Sequence, residues 1–190
     1  MADEANTASG ELNAAAEREL AAIALRRHVF VGGLERRWVE RLAGIARIRR
    51  YAPGSLIARR GEAADSLYLI TCGSVELQAT EDDGRVVAVQ KLGTGDVLGV
   101  DWVSASRNWM VDVRALEPVS AVLLEVSELA RQIDEDHDFG RALTMCALRH
   151  ARLRALGGPF DALFGQEHGA GARVLGDPGS ATPATRPAPR

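Results

Sequence analysis

The feature that most constrains this chain is a double change of hydrophobic period, near Arg47 and again near Val126. Before Arg47 the apolar residues recur at helical spacing. From Arg47 they alternate in short runs, "RIRRYAPGSLIARRGEAADSLYLITCGSVELQATEDDGRVVAVQKLGTGDVLGV", each cut off by a turn signal. The turns fall at Pro53-Gly54, Gly61-Glu62, Cys72-Gly73, Asp83-Gly84 and Gly93 through Asp96, and strands resume at "MVDVRALEP" and "SAVLLEV". Many short strands with glycine-marked corners predict a mainly β chain, an eight-stranded antiparallel jelly-roll barrel over residues 47–126.

The flanks read as helices. From Glu11 to His28, Leu12, Ala15, Ala16, Leu20, Ile23 and Ala24 keep helical spacing; "VFVGGL" turns the chain; "ERRWVERLAGIARI" places Trp38, Leu42 and Ile45 on one face. Residues 1–10 are small and polar and are expected to be disordered, leaving 11–46 for the N-terminal helices. After Val126, Ser127 is placed to cap "SELARQIDE", and a longer helix follows from about Asp138 to Leu156, so that residues 127–157 form the C-terminal helices. On it Phe139, Leu143, Cys146, His150 and Leu153 step by fours and threes, the spacing of a helix seam. Two arrangements satisfy that seam: a homodimer, and the helix folded back on its own barrel. The remainder, 158–190, is rich in Gly, Ala and Pro and reads as a disordered tail.

Composition narrows the function classes. At 190 residues one domain with a proper core is affordable, and the net charge of -3 gives no global pull toward nucleic acid. No run is apolar enough for a membrane span, and the start "MADEANTASG" has no leader pattern. Cys72 and Cys146 stand far apart in no CxxC pair, which suits a cytoplasmic protein with reduced thiols and disfavours an iron–sulfur cluster. The four histidines, His28, His137, His150 and His168, fall in helices, flanks or tail, whereas a metal-dependent jelly roll needs them on inner strands; no metal site is expected. Nor is there a nucleophile–base pair or phosphate loop in a suitable context, so no enzyme is expected.

The stretch from Val29 to Leu156 resembles the cyclic-nucleotide-binding domain of the catabolite-activator type. The residues that carry the resemblance are "YAPGSLIARRGEAADSLYLITCGSVEL" (Tyr51 to Leu77), "KLGTGDVLG" (Lys91 to Gly99) and "VRALEP" (Val113 to Pro118). The resemblance implies a stand-alone regulatory or sensor domain that answers a small-molecule effector and signals through its C-terminal helix to a protein partner. It also implies a phosphate-binding cassette, in which Phe-Gly-Glu supplies a glutamate to the ribose and a later arginine pairs with the cyclic phosphate.

Laid on this chain, Phe-Gly-Glu becomes Leu98-Gly99-Val100, and the arginine position and its successor become Trp109 and Met110. Cyclic nucleotide is thus a candidate ligand whose usual Glu and Arg contacts are absent, and its specificity is expected to be altered or lost. Asp101 follows the glutamate position by one residue and Arg107 precedes the arginine position by two, but a one-residue slip turns a strand side chain to the other face. The candidate pocket is Leu98, Gly99, Val100, Asp101, Trp102, Arg107, Trp109, Met110 and Val111, a lining suited to an apolar or aromatic ligand or a stacked base. The alternative is that the tryptophans fill the old cavity and the chain is a ligand-free interaction or dimerisation module. A DNA-reading domain needs roughly 60–70 further ordered residues, so specific DNA binding is not expected of this tail.

Overall fold

The computed structural model describes residues 2–100 and 108–155. Among these described residues four helices and eight strands follow the order α1 (Ala2–Arg27), a 3-10 turn (Val29–Gly33), α2 (Arg36–Ile45), β1 (Arg47–Tyr51), β2 (Leu56–Ala58), β3 (Ser66–Cys72), β4 (Val75–Thr80), β5 (Val86–Leu92), β6 (Val97–Leu98), β7 (Asp112–Ala115), β8 (Val119–Glu125), α3 (Val126–Glu135) and α4 (His137–Ala155). The strands form two four-stranded antiparallel sheets, β1-β8-β3-β6 and β2-β7-β4-β5. Among the described residues no strand of one sheet pairs with the other, so the eight expected strands stand as two four-stranded sheets and not as a closed barrel. Closure needs edge strands long enough to pair across the gap, and here β6 offers two residues and β2 three.

Alternation explains the layering. In β3, Tyr68 and Ile70 turn between the sheets with Ala121 and Leu123 of β8, Val113 and Ala115 of β7, and Val75 of β4. Leu67 and Leu69 turn the other way, with Val122 and Leu124, into a second core against the helices. The first sheet is therefore covered on both faces, which is why "LYLI" and "AVLL" read as unbroken apolar runs. The helical layer contributes Leu25, Phe30, Trp38, Leu42, Leu129 and Phe139, all buried.

Two boundaries differ from expectation. Helix α1 starts at Ala2, inside the segment expected to be disordered; its Ala and Glu residues favour extension, and lengthening an existing helix needs no new nucleus. Ser127 sits within the first turn of α3, whose cap position is Glu125 without a side-chain capping bond. The cap that does form is at α4, where Asp136 Oδ1 accepts from the Phe139 amide at 3.0 Å and Oδ2 from Trp38 Nε1 at 3.1 Å.

The helix seam faces inward. Phe139 and Leu143 are fully buried, and Cys146 and His150 nearly so, against α1, α2 and the first sheet of the same chain. Of the two arrangements open to this spacing, the chain's own core has taken that face, and Leu153 remains only partly covered at its end. Met145 and Leu148 occupy the outward face. Residues 158–190, assigned to a tail, lie outside the described residues.

Candidate functional site

The cassette leaves β6 through Gly99, in the left-handed region at φ 78°. A Cβ there would stand 2.5 Å from the Ser66 carbonyl oxygen of β3 and 3.4 Å from Cη2 of Trp109. Glycine is thus required both for the turn and for the close approach of two chains. The cassette returns at Trp109, whose backbone is pinned twice to the turn before β3: its amide donates to Glu62 O at 2.9 Å, and its carbonyl accepts from Gly61 N at 2.8 Å. Adjacent Asn108 bridges Ala63. With its backbone fixed so, the indole lies over Gly99 and tilts against Tyr68, ring centroids 6.3 Å apart; Tyr68 in turn meets Tyr51 edge-on at 6.5 Å.

This arrangement sorts the sequence candidates. Leu98, Gly99 and Trp109 come together at the end of the inter-sheet core. Val100 instead packs toward the helix-side core, and Met110 is 65% exposed. Neither of these lines the space beneath Trp109, contrary to the expected lining: the left-handed turn at Gly99 sends Val100 to the opposite side. Val111 is half-buried. Asp101, Trp102 and Arg107 lie outside the described residues.

Tyr51 and Tyr68 were not anticipated. Strand parity carried the signal: Tyr68 shares a face with Ile70, and Tyr51 pairs with Val119, which faces the same core. Burial, then the neighbouring Tyr68, pushes the Tyr51 phenol well above its ordinary range. Among the described residues the wall presented here is aromatic, made by Trp109, Tyr68 and Tyr51. Arg114, inside the cassette's last strand, donates to Gly54 O at 2.7 Å and to Gln78, away from Trp109.

A second set of contacts ties this strand to α4. Arg154 Nη1 donates to Val97 O of β6 at 3.2 Å, and Nη2 to Gln90 at 2.8 Å. His150 Nε2 stands 3.7 Å from Asp96 Oδ1 in the turn that feeds β6, an ion-pair distance but too long for a hydrogen bond. Burial holds the His150 imidazole below its ordinary value, although Asp96 acts in the opposite direction. His28 lies in the same layer: Nδ1 accepts from Phe30 N at 3.2 Å, leaving Nε2 to donate to Ile70 O at 3.2 Å. Burial brings its pKa down to about 4. Among the described residues no group of three or more His, Cys, Asp or Glu side chains is placed to hold a metal, and no helix is long and apolar enough to cross a membrane.

Two facing antiparallel sheets, a helical layer on one of them, and a cassette that departs by a left-handed glycine define the fold of a cyclic-nucleotide-binding regulatory domain. Residues 48–136 match the family described as cyclic nucleotide-binding domain. Among solved structures, the regulatory subunit of a cAMP-independent protein kinase A from Trypanosoma brucei is 27% identical with a TM-score of 0.56, over 70% of this chain and 49% of that one. A triple mutant of that subunit, bound to cAMP in its A site, gives 25% identity and a TM-score of 0.55, over 80% of this chain and 51% of that one. The N-terminal domain of a transcriptional regulator from Streptomyces coelicolor is 24% identical with a TM-score of 0.58, over 70% of this chain and 94% of that one. No curated protein matches the chain.

Proposed function

We propose that this chain is a regulatory domain of the cyclic-nucleotide-binding type whose cassette does not grip a cyclic phosphate, and whose output runs through α4 to a protein partner. The observation that carries the reading is the place of Trp109: where the family's pattern calls for a guanidinium, an indole rests on Gly99 and Tyr68. A cyclic phosphate brought there loses its charge-assisted partner, at a cost of about 1.5–3 kcal/mol, or roughly ten- to hundredfold in affinity. The kinship to a subunit described as cAMP-independent, of which a triple mutant is bound to cAMP, supports the idea that this fold accommodates both states. The bonds from Arg154 to Val97 and Gln90 support the output, since a shift of β6 pulls directly on α4.

The test is a thermal-shift titration with cyclic AMP, cyclic GMP and cyclic dinucleotides. A ligand at about 100 times its dissociation constant adds roughly 2.7 kcal/mol, a rise on the order of 5–10 °C for a chain this size. No rise is expected with any of them, and a clear rise with one overturns the proposal.

A second reading, a ligand-free interaction module, is favoured by one observation: Met145 and Leu148 stand 60% and 56% exposed on α4. It expects M145E/L148E to lower the mass seen by light scattering, or to release a co-purifying partner.

A further inference from the structure

Away from the cassette, a cleft of about 360 Å³ opens between the 3-10 turn and α4, lined by Val29, Phe30, Gly32, Cys146, Arg149, His150 and Leu153. Most of its wall is apolar. Two polar groups, His150 and Arg149, break that pattern. The His150 side chain is 5% exposed, yet its Nε2 has no hydrogen-bond partner. The second group is Arg149. Its guanidinium is laid over Gly33, where an added Cβ would come within 2.9 Å of Nη1. Among the described residues no carboxylate lies within ion-pair distance of it.

The chemistry of the occupant follows from this wall. At ~30 Å³ for each group of water size, the cleft holds about a dozen non-hydrogen atoms. One guanidinium at the rim suits a single negative charge with planar, two-oxygen geometry. A phosphate dianion would want several converging donors, and the apolar remainder would give it none. The Phe30 ring, edge-on to His150 with centroids 6.1 Å apart, and Leu153 at the far end offer a surface for hydrocarbon.

We propose that this cleft is a ligand site separate from the cassette, taking a monocarboxylate with an apolar body, its carboxylate on Arg149 and its body against Val29, Phe30 and Leu153. His150 forms part of the wall. A ligand there braces the 3-10 turn against α4, the same helix that holds β6 through Arg154.

The two cysteines give a direct test with octanoate as the probe. Cys146 lines the cleft and is buried, whereas Cys72 is exposed at the end of β3. Alkylation by iodoacetamide is followed by mass spectrometry on the full chain, with and without octanoate. Octanoate is expected to slow modification of Cys146 at least tenfold and leave Cys72 unchanged. R149Q, a change at an exposed side chain, is expected to weaken that protection about ten- to hundredfold in octanoate concentration. L153W, which fills the far end, is expected to remove it while the protein still melts cooperatively. Octanol, without the charge, is expected to protect poorly. The proposal is overturned if millimolar octanoate leaves the Cys146 rate unchanged, if both thiols respond equally, if octanol protects as well as octanoate, or if R149Q is protected like the wild type.

Discussion

Replacing Gly99 by alanine tests the geometry of the cassette's departure from β6. The substitution meets two separate penalties. Holding an L-residue at φ 78° costs about 1–2 kcal/mol. The new Cβ also stands 2.5 Å from the Ser66 carbonyl, where 3.4 Å or more is ordinary. That carbonyl belongs to β3, held between β8 and β6, so it cannot retreat without disturbing two ladders. Overpacking of this kind costs about 1–3 kcal/mol.

The total for Gly99→Ala is then about 2–5 kcal/mol, and at 2–4 °C per kcal/mol for a chain of this length the melting temperature falls by about 10 °C. Gly84→Ala supplies the control: its φ is 84°, but nothing lies within 4 Å of the added Cβ. Only the conformational penalty applies there, about 1–2 kcal/mol, or roughly 4 °C. Calorimetry on both variants separates the two effects. Equal losses from Gly99→Ala and Gly84→Ala would refute the close approach of the cassette to β3.

Acid should weaken the fold through His28. Its pKa is about 4 in the fold against an ordinary 6.5, so the unfolded chain binds the extra proton first; the stabilisation is complete above about pH 6.5 and is lost as pH falls toward 4. H28N should shrink the stability lost between about pH 7 and pH 5 by about 2 kcal/mol in urea titrations, and an unchanged slope would rule His28 out. On α4, Leu143→Ala should cost about 2–5 kcal/mol and Leu148→Ala no more than about 0.5, since the first is fully buried and the second 56% exposed. The reverse order would return the seam to the surface.

Much of the fold was legible in the sequence because its signals are local. The glycines at Gly54, Gly73, Gly84 and Gly95 mark corners that need a left-handed backbone, and each has one. Alternation in "SLYLITC" divides the residues of β3 between two faces, and the period change at Val126 marks where β8 gives way to α3. The expectation that the family's glutamate and arginine are replaced comes from the resemblance position by position, and it is the basis of the proposed function. That Val100 turns to the helices while Trp109 turns between the sheets was not legible, because the backbone at Gly99 decides the direction.

Residue order alone therefore determined most of the elements and their turns. Tertiary structure decided whom each face meets. The spacing of Phe139, Leu143, Cys146 and His150 defines an apolar stripe without naming its partner, and the chain's own sheet and helices filled that role. The joining of Trp109, Tyr68 and Tyr51 into one wall, and of Phe30 with Arg149 and His150 into one cleft, required strands and helices distant in sequence to pack together. Hydrophobic burial is non-directional. A sequence can state that a surface must be covered, but only the packed chain settles what covers it.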